Sequence, residues 1–209
     1  MSLGKVNANT SASADRLNKL MRERLKPGAD KKLIDERIWD LFGEEWAVMF
    51  TDLSGFSRGV EKFGIIHFLQ TIYESERLLL PLIENFDGIL LKVEGDSLLV
   101  IFRNVNKAVR CALEMQGVLK KYNETQSDEE KILLCVGIGF GRVLKIGDSD
   151  VFGAEVNAAS KLGEDMARAY EILVTQAVVD KISPLPAGLE FEKIARPPAG
   201  ARQAYRLIY

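Results

Sequence analysis

Histidine, cysteine and net charge are all scarce in this chain, and each shortage narrows what it can do. His67 is the only histidine. It falls on the apolar face of a helical pattern and reads as a packed side chain with no chemical role. Cys111 and Cys135 are the only cysteines. They lie inside apolar segments without metal-type spacing, so both read as reduced core residues. The formal net charge is −2, which gives no reason to expect nucleic acid or an anionic membrane as a partner. No apolar run approaches the length of a membrane span, and the first residues lack the apolar core of a secretory signal. These features together point to a cytoplasmic protein. A Gly-x-x-x-x-Gly-Lys-Ser/Thr phosphate loop is also absent. Gly137, Gly139 and Gly141 alternate within a strand pattern, which is not the spacing of a dinucleotide fingerprint. Glycines so placed serve close backbone packing.

The composition is otherwise that of a globular protein, 47% hydrophobic and 28% charged over 209 residues, enough for one domain with an appendage or for two small domains. Residues up to about 13 are small and polar and are expected to be disordered. Two amphipathic helices are predicted over 14–25, with Ser13 as N-cap, and over 30–42, ending at Gly43. They read as either a dimerising or docking element or a solvated arm. The periodicity then predicts a strand over 46–52 and a long helix over 64–86, with Pro81 a potential kink. A hairpin is predicted over 89–93 and 97–102 around Glu94-Gly95, then a helix over 105–121, a polar loop over 123–130 and a strand over 132–140. A helix over 156–166 and short strands over 171–174, 189–194 and 203–208 complete the chain. The order β-α-β-β-α-β is the split βαβ pattern. It predicts an α+β fold, ferredoxin-like, with a mostly antiparallel sheet, helices packed on one face, C-terminal additions and an N-terminal helical arm. The arm is placed at residues 1–45 and the main domain at 46–209. Such a fold does not name a function.

Chemistry enters with two aspartates. Asp52 closes the apolar run Trp46-Ala47-Val48-Met49-Phe50-Thr51, and Asp96 follows Lys92-Val93-Glu94-Gly95 ahead of a second apolar run. Carboxylates at the tips of adjacent strands suit a hard cation that must also hold substrate phosphates. Two such carboxylates could share two ions.

Four segments in order carry a family resemblance: Phe50-Thr51-Asp52-Leu53-Ser54-Gly55-Phe56, Lys92-Val93-Glu94-Gly95-Asp96, Val136-Gly137-Ile138-Gly139-Phe140-Gly141, and Asp150-Val151-Phe152-Gly153-Ala154-Glu155-Val156-Asn157-Ala158-Ala159-Ser160-Lys161. Together they resemble the catalytic domain of class III nucleotidyl cyclases, the adenylyl and guanylyl cyclases, over roughly residues 46 to 209. The resemblance implies that Asp52, Asp96 and the Leu53 backbone carbonyl bind two Mg²⁺ or Mn²⁺ ions. It implies that Lys92 and Asp150 select the base and that Asn157 positions the ribose. An ammonium can donate to adenine N1, and a carboxylate can accept from the N6 amine; this pair therefore implies ATP. The family's site lies between two catalytic domains, so a chain holding all these residues is expected to form a twofold homodimer. The expected activity is adenylate cyclase: ATP to 3′,5′-cyclic AMP and pyrophosphate. The alternative is a catalytically weak or inactive cyclase-homology domain that binds nucleotide or dimerises in signalling.

Two positions depart from the family pattern. Lys161 stands where the family carries a transition-state arginine; it keeps the charge and loses the planar fork. Arg168 falls near the same helical face as a potential substitute. Near the C-terminus, Arg196 is the nearest candidate for a phosphate-contacting residue, although Pro197-Pro198 interrupts the pattern. No sensor domain is recognisable in residues 1–45, so the sequence names no upstream regulator.

Overall fold

A computed structural model of the chain describes residues 12–55, 64–184 and 187–209. Most of the polar stretch expected to be disordered lies outside these residues, as does Phe56 of the first motif. The helices and strands in chain order are α1 (Ala12–Arg24), α2 (Lys31–Phe42), β1 (Gly43–Leu53), α3 (Ile65–Asn85), β2 (Ile89–Glu94), β3 (Ser97–Phe102), α4 (Val105–Asn123), β4 (Leu134–Ile146) and β5 (Asp150–Phe152). There follow α5 (Ala154–Ser160), a π-helical turn (Lys161–Met166), β6 (Ile172–Thr175), α6 (Gln176–Lys181), β7 (Glu190–Lys193) and β8 (Ala204–Ile208).

Among the described residues, eight strands form one sheet, in the order β2-β3-β1-β4-β6-β8-β7 with β5 beside β4. The four strands of the β-α-β-β-α-β unit are antiparallel neighbours, and only β4 and β6 run parallel. This is the expected split βαβ fold. Side chains alternate across the sheet. Ala47, Met49, Val100, Phe102 and Ile138 face the two long helices, meeting Leu79 and Ile83 of α3 and Val109, Ala112 and Met115 of α4. Pro81 sits inside α3, which continues through it.

The opposite face carries the short helix α5. Trp46, Val48, Leu99 and Ile101 bury there against Val156 and Ala159. β4 presents its glycines on this side, opposite Phe50 and Val48. A Cβ on Gly137 would lie 2.2 Å from the Ala159 carbonyl oxygen and 2.3 Å from the Gly163 nitrogen. The expected reason for these glycines, close backbone approach, is thus met by α5 and the π turn. Gly137→Ala is expected to force the helix off the sheet, costing about 3 kcal/mol and lowering the melting temperature by roughly 10 °C. Gly117→Ala, in α4 with nothing within 4 Å of the new Cβ, serves as the control in the same thermal melts and should not destabilise the fold.

Several boundaries differ from the sequence reading. Asp30, expected as the first residue of the second helix, is instead the N-cap of α2, its carboxylate accepting from Leu33 N at 3.0 Å. Ser13, however, lies within α1 and not ahead of it. β1 starts at Gly43, ahead of Trp46, because β4 extends to Ile146 and supplies partners as far as Gly43 opposite Leu144. The helix expected over 156–166 is α-helical only to Ser160, and the π turn follows. The short elements β5 and α6 carry too few residues for a legible period and were not anticipated. The two N-terminal helices are not merely solvated: Leu20, Ile34, Ile38 and Phe42 bury with Ile146 of β4.

Candidate active site

Asp52 lies near the end of β1, and Asp96 is placed beside it by the β2–β3 hairpin. Glu94 pairs with Ser97, leaving Gly95-Asp96 as a two-residue turn. Gly95 has φ +63°, the left-handed conformation that the first position of such a turn demands and that glycine tolerates. Ser97 Oγ donates to Asp52 Oδ1 at 3.1 Å. Asp96 Oδ2 is buried with no hydrogen-bond partner. Burial, then the neighbouring Asp96 charge, pushes the Asp52 carboxyl up to about 6, with the Ser97 hydrogen bond pulling the other way. Burial also raises Asp96, while the Leu53 backbone amide favours the ionised form of both. The two carboxyls compete for charge in a half-buried place, which is the field a divalent cation relieves.

No cluster of three or more His, Cys, Asp or Glu arranged for a metal occurs among the described residues. A pair with an orphaned buried oxygen nevertheless has the chemistry to suit an ion that takes its remaining oxygens from backbone, water and substrate phosphates. The residues present fit Mg²⁺ or Mn²⁺ on that chemistry.

Lys92 and Asp150 meet although 58 residues separate them: Lys92 Nζ donates to Asp150 Oδ2 at 2.7 Å. Asp150 opens β5, whose pairing with β4 places it opposite Ile146, and its other oxygen accepts from Val151 N at 2.9 Å. Glu94 Oε1 lies 3.9 Å from the same ammonium. Phe50, Lys92, Ser97, Leu99, Asp150 and Val156 surround a cleft of about 120 Å³ on the α5 face of the sheet. Apolar walls flank a matched donor and acceptor.

Asn157 and Lys161 sit beside this cleft but do not line it. Both side chains are exposed, stacked one turn apart by the Lys161 N–H to Asn157 carbonyl bond. The structure removes Arg168 as their neighbour. The helix ends at Met166, Ala167 is extended with ψ 143°, and Arg168 N bonds Glu171 at 3.0 Å in the following turn. Arg196 is exposed in the β7–β8 connection. Two residues at the site escaped the sequence reading. Ser97 follows Asp96 directly, and its hydroxyl type was the available signal. Glu164 lines the cleft and adds to the negative field at Asp52; it arrives there through the π turn, which no periodicity announced.

Residues 43–198 match the family model described as the adenylate and guanylate cyclase catalytic domain. Among curated proteins, the chain is 32% identical over 131 residues to the serine/threonine-protein kinase pkn2 of Myxococcus xanthus, covering 63% of this chain and 16% of that protein. It is 30% identical over 116 residues to putative adenylate cyclase 3 of Rhizobium meliloti (strain 1021), covering 56% of this chain and 20% of that one. The chain thus spans a fifth or less of these relatives. Among solved structures, an adenylate/guanylate cyclase/hydrolase from Silicibacter pomeroyi superposes with a TM-score of 0.64 at 24% identity, over 80% of this chain and 98% of that one.

Proposed function

The chain belongs to the adenylate and guanylate cyclase catalytic domain family, and from that premise we propose that it is an adenylate cyclase, converting ATP to 3′,5′-cyclic AMP and pyrophosphate at sites shared between two copies of the chain. The observation that carries the nucleotide choice is the 2.7 Å Lys92–Asp150 pair in an apolar-walled cleft. Lys92 offers a donor to adenine N1 and Asp150 an acceptor to the N6 amine. Guanine presents the reverse pattern and would leave both groups unpaired, which makes discrimination large.

Two Mg²⁺ or Mn²⁺ ions, held by Asp52, Asp96 and the Leu53 carbonyl, would supply charge neutralisation and 3′-hydroxyl activation. The chain's own residues do the positioning. Asn157 orients the ribose so that its 3′-oxygen meets the α-phosphorus as the bond to pyrophosphate breaks. Lys161 sets a positive point charge against the phosphates. A cleft of about 120 Å³ is small beside the ~300 Å³ or more of ordinary ligand sites, and Asn157 and Lys161 stand outside it. Both facts favour completion of the site by a second copy of the chain, as a homodimer with two equivalent sites. No helix among the described residues is long and apolar enough to cross a membrane.

Lys161 favours a second reading, a weak or inactive cyclase-homology domain serving as a nucleotide-binding, dimerising signalling module. Losing one fitted transition-state donor costs on the order of 10²–10³ in rate. Under the enzyme reading, Lys161→Arg is expected to raise turnover by about tenfold or more, read as initial rates of cyclic nucleotide formation. The deciding experiment incubates the protein with equal ATP and GTP and Mn²⁺ and identifies products by mass spectrometry. Cyclic AMP that disappears in Asp96→Asn supports the enzyme. No cyclic product from an intact dimer supports the module.

A further inference from the structure

Ser97 is neither one of the family-type positions nor a cleft-wall residue of the ordinary apolar kind. Its hydroxyl lies at 3.1 Å from Asp52 Oδ1, and it follows Asp96 immediately in the chain. The short β2–β3 turn therefore governs both carboxylates. It carries Asp96 itself, and through the next residue it reaches across to Asp52 at the end of β1. Strand register makes that reach reproducible: Thr51 pairs with Leu98, and Leu98 N donates to Thr51 Oγ1 at 3.3 Å on the buried side of the same turn. Those two bonds, one on each face of the sheet, pin the hairpin root to β1.

A serine hydroxyl has one proton to give. Donated to Oδ1, with the Leu53 amide as a second donor to the same carboxylate, it fixes the orientation of the Asp52 side chain. Asp96 Oδ2 stays buried and unpartnered beside it. One oxygen restrained and one left without a partner is the pattern of a ligand pair held in place before its ion arrives.

We propose that Ser97 is a positioning residue: its hydroxyl holds Asp52 in the orientation that binds the divalent cation, and so sets metal affinity. This rests on the reading of Asp52 and Asp96 as metal ligands. The test is a Mn²⁺ titration of the full chain, with unbound Mn²⁺ read by electron paramagnetic resonance, for wild type, Ser97→Ala, Ser97→Thr and Asp96→Asn. Loss of an orienting partner typically weakens metal binding by about 10- to 100-fold. Ser97→Ala should show that loss while still unfolding in one cooperative transition in the metal-free protein, and Ser97→Thr, which keeps the hydroxyl, should recover most of it. In turnover assays, Ser97→Ala should need correspondingly more Mn²⁺ for half-maximal rate, and Ser97→Thr should need little more than wild type. Ser97→Ala binding Mn²⁺ within twofold of wild type, with Asp96→Asn weakened, overturns the role of Ser97 and leaves the metal site standing. Equal weakening in Ser97→Ala and Ser97→Thr assigns the effect to packing and overturns it too. Asp96→Asn binding as tightly as wild type removes the metal site itself, and the inference with it.

Discussion

Asp96→Asn is expected to lower cyclic nucleotide formation by about three orders of magnitude or more, and at the same time to stabilise the metal-free protein near neutral pH. The loss follows from the task proposed for the pair. Attack on the α-phosphorus needs charge neutralised where it develops, and a half-charged ligand set cannot hold the ions that would do it. The gain follows from the cost of the unoccupied pair. Two carboxyls share a half-buried place, one oxygen has no partner, and Asp52 is raised to about 6. The folded state therefore holds a proton that the unfolded chain has already released above the ordinary carboxyl range. The stabilising contribution of that proton is complete below the unfolded value and is lost as pH rises through about 6. Melting temperatures of the metal-free wild type should fall between pH 5 and pH 7. Asp96→Asn removes one charge from the pair and should flatten that slope. Mn²⁺ should raise the melting temperature of wild type more at pH 7 than at pH 5, where protons compete for the same oxygens, and should leave Asp96→Asn nearly unmoved. Equal slopes in the two proteins would show that the carboxyls do not act as a pair.

Lys92→Glu is expected to reduce the ratio of cyclic AMP to cyclic GMP by about 10²-fold or more in competition assays containing both nucleotides. Side-chain exposures of 34% for Lys92 and 28% for Asp150 mean that the pair proposed to select the base is only partly wet, so an unmatched group there is penalised more than at an open surface. The substitution takes away the donor for adenine N1 and installs an acceptor suited to the N–H groups of guanine. It also gathers three carboxylates, since Glu94 and Asp150 both lie within 4.0 Å of the present ammonium. Overall activity should fall for that reason. Pairing the change with Asp150→Cys removes one of those charges and should recover activity on GTP rather than ATP. A product ratio unchanged in folded Lys92→Glu protein would end the assignment of Lys92 to the base.

Much of this architecture was legible because it is local. Alternating and helical apolar periods marked β1, α3 and α4. A glycine ahead of Asp96 marked the tight hairpin, and the alternate glycines of β4 marked a surface that another backbone must approach. Those signals depend on covalent neighbours and on the pleat of a strand, so a sequence carries them whole. The aspartates at strand ends belong to the same class: a carboxylate following an apolar run is visible before any fold is known.

The meetings between elements, by contrast, depend on how the sheet packs. Lys92 finds Asp150 because β5 folds back on β4 and sets Asp150 opposite Ile146, a three-residue strand too short to announce itself. Ser97 reaches Asp52 because β3 lies beside β1 in one register. Glu164 enters the cleft, and Arg168 leaves the helix face, because Gly163 lets the helix widen into a π turn against Phe50 and Gly137. The N-terminal helices bury against Ile146 because β4 runs past its expected end. Each outcome turns on register and closest approach between segments far apart in the chain, and those distances are fixed only when the whole sheet packs.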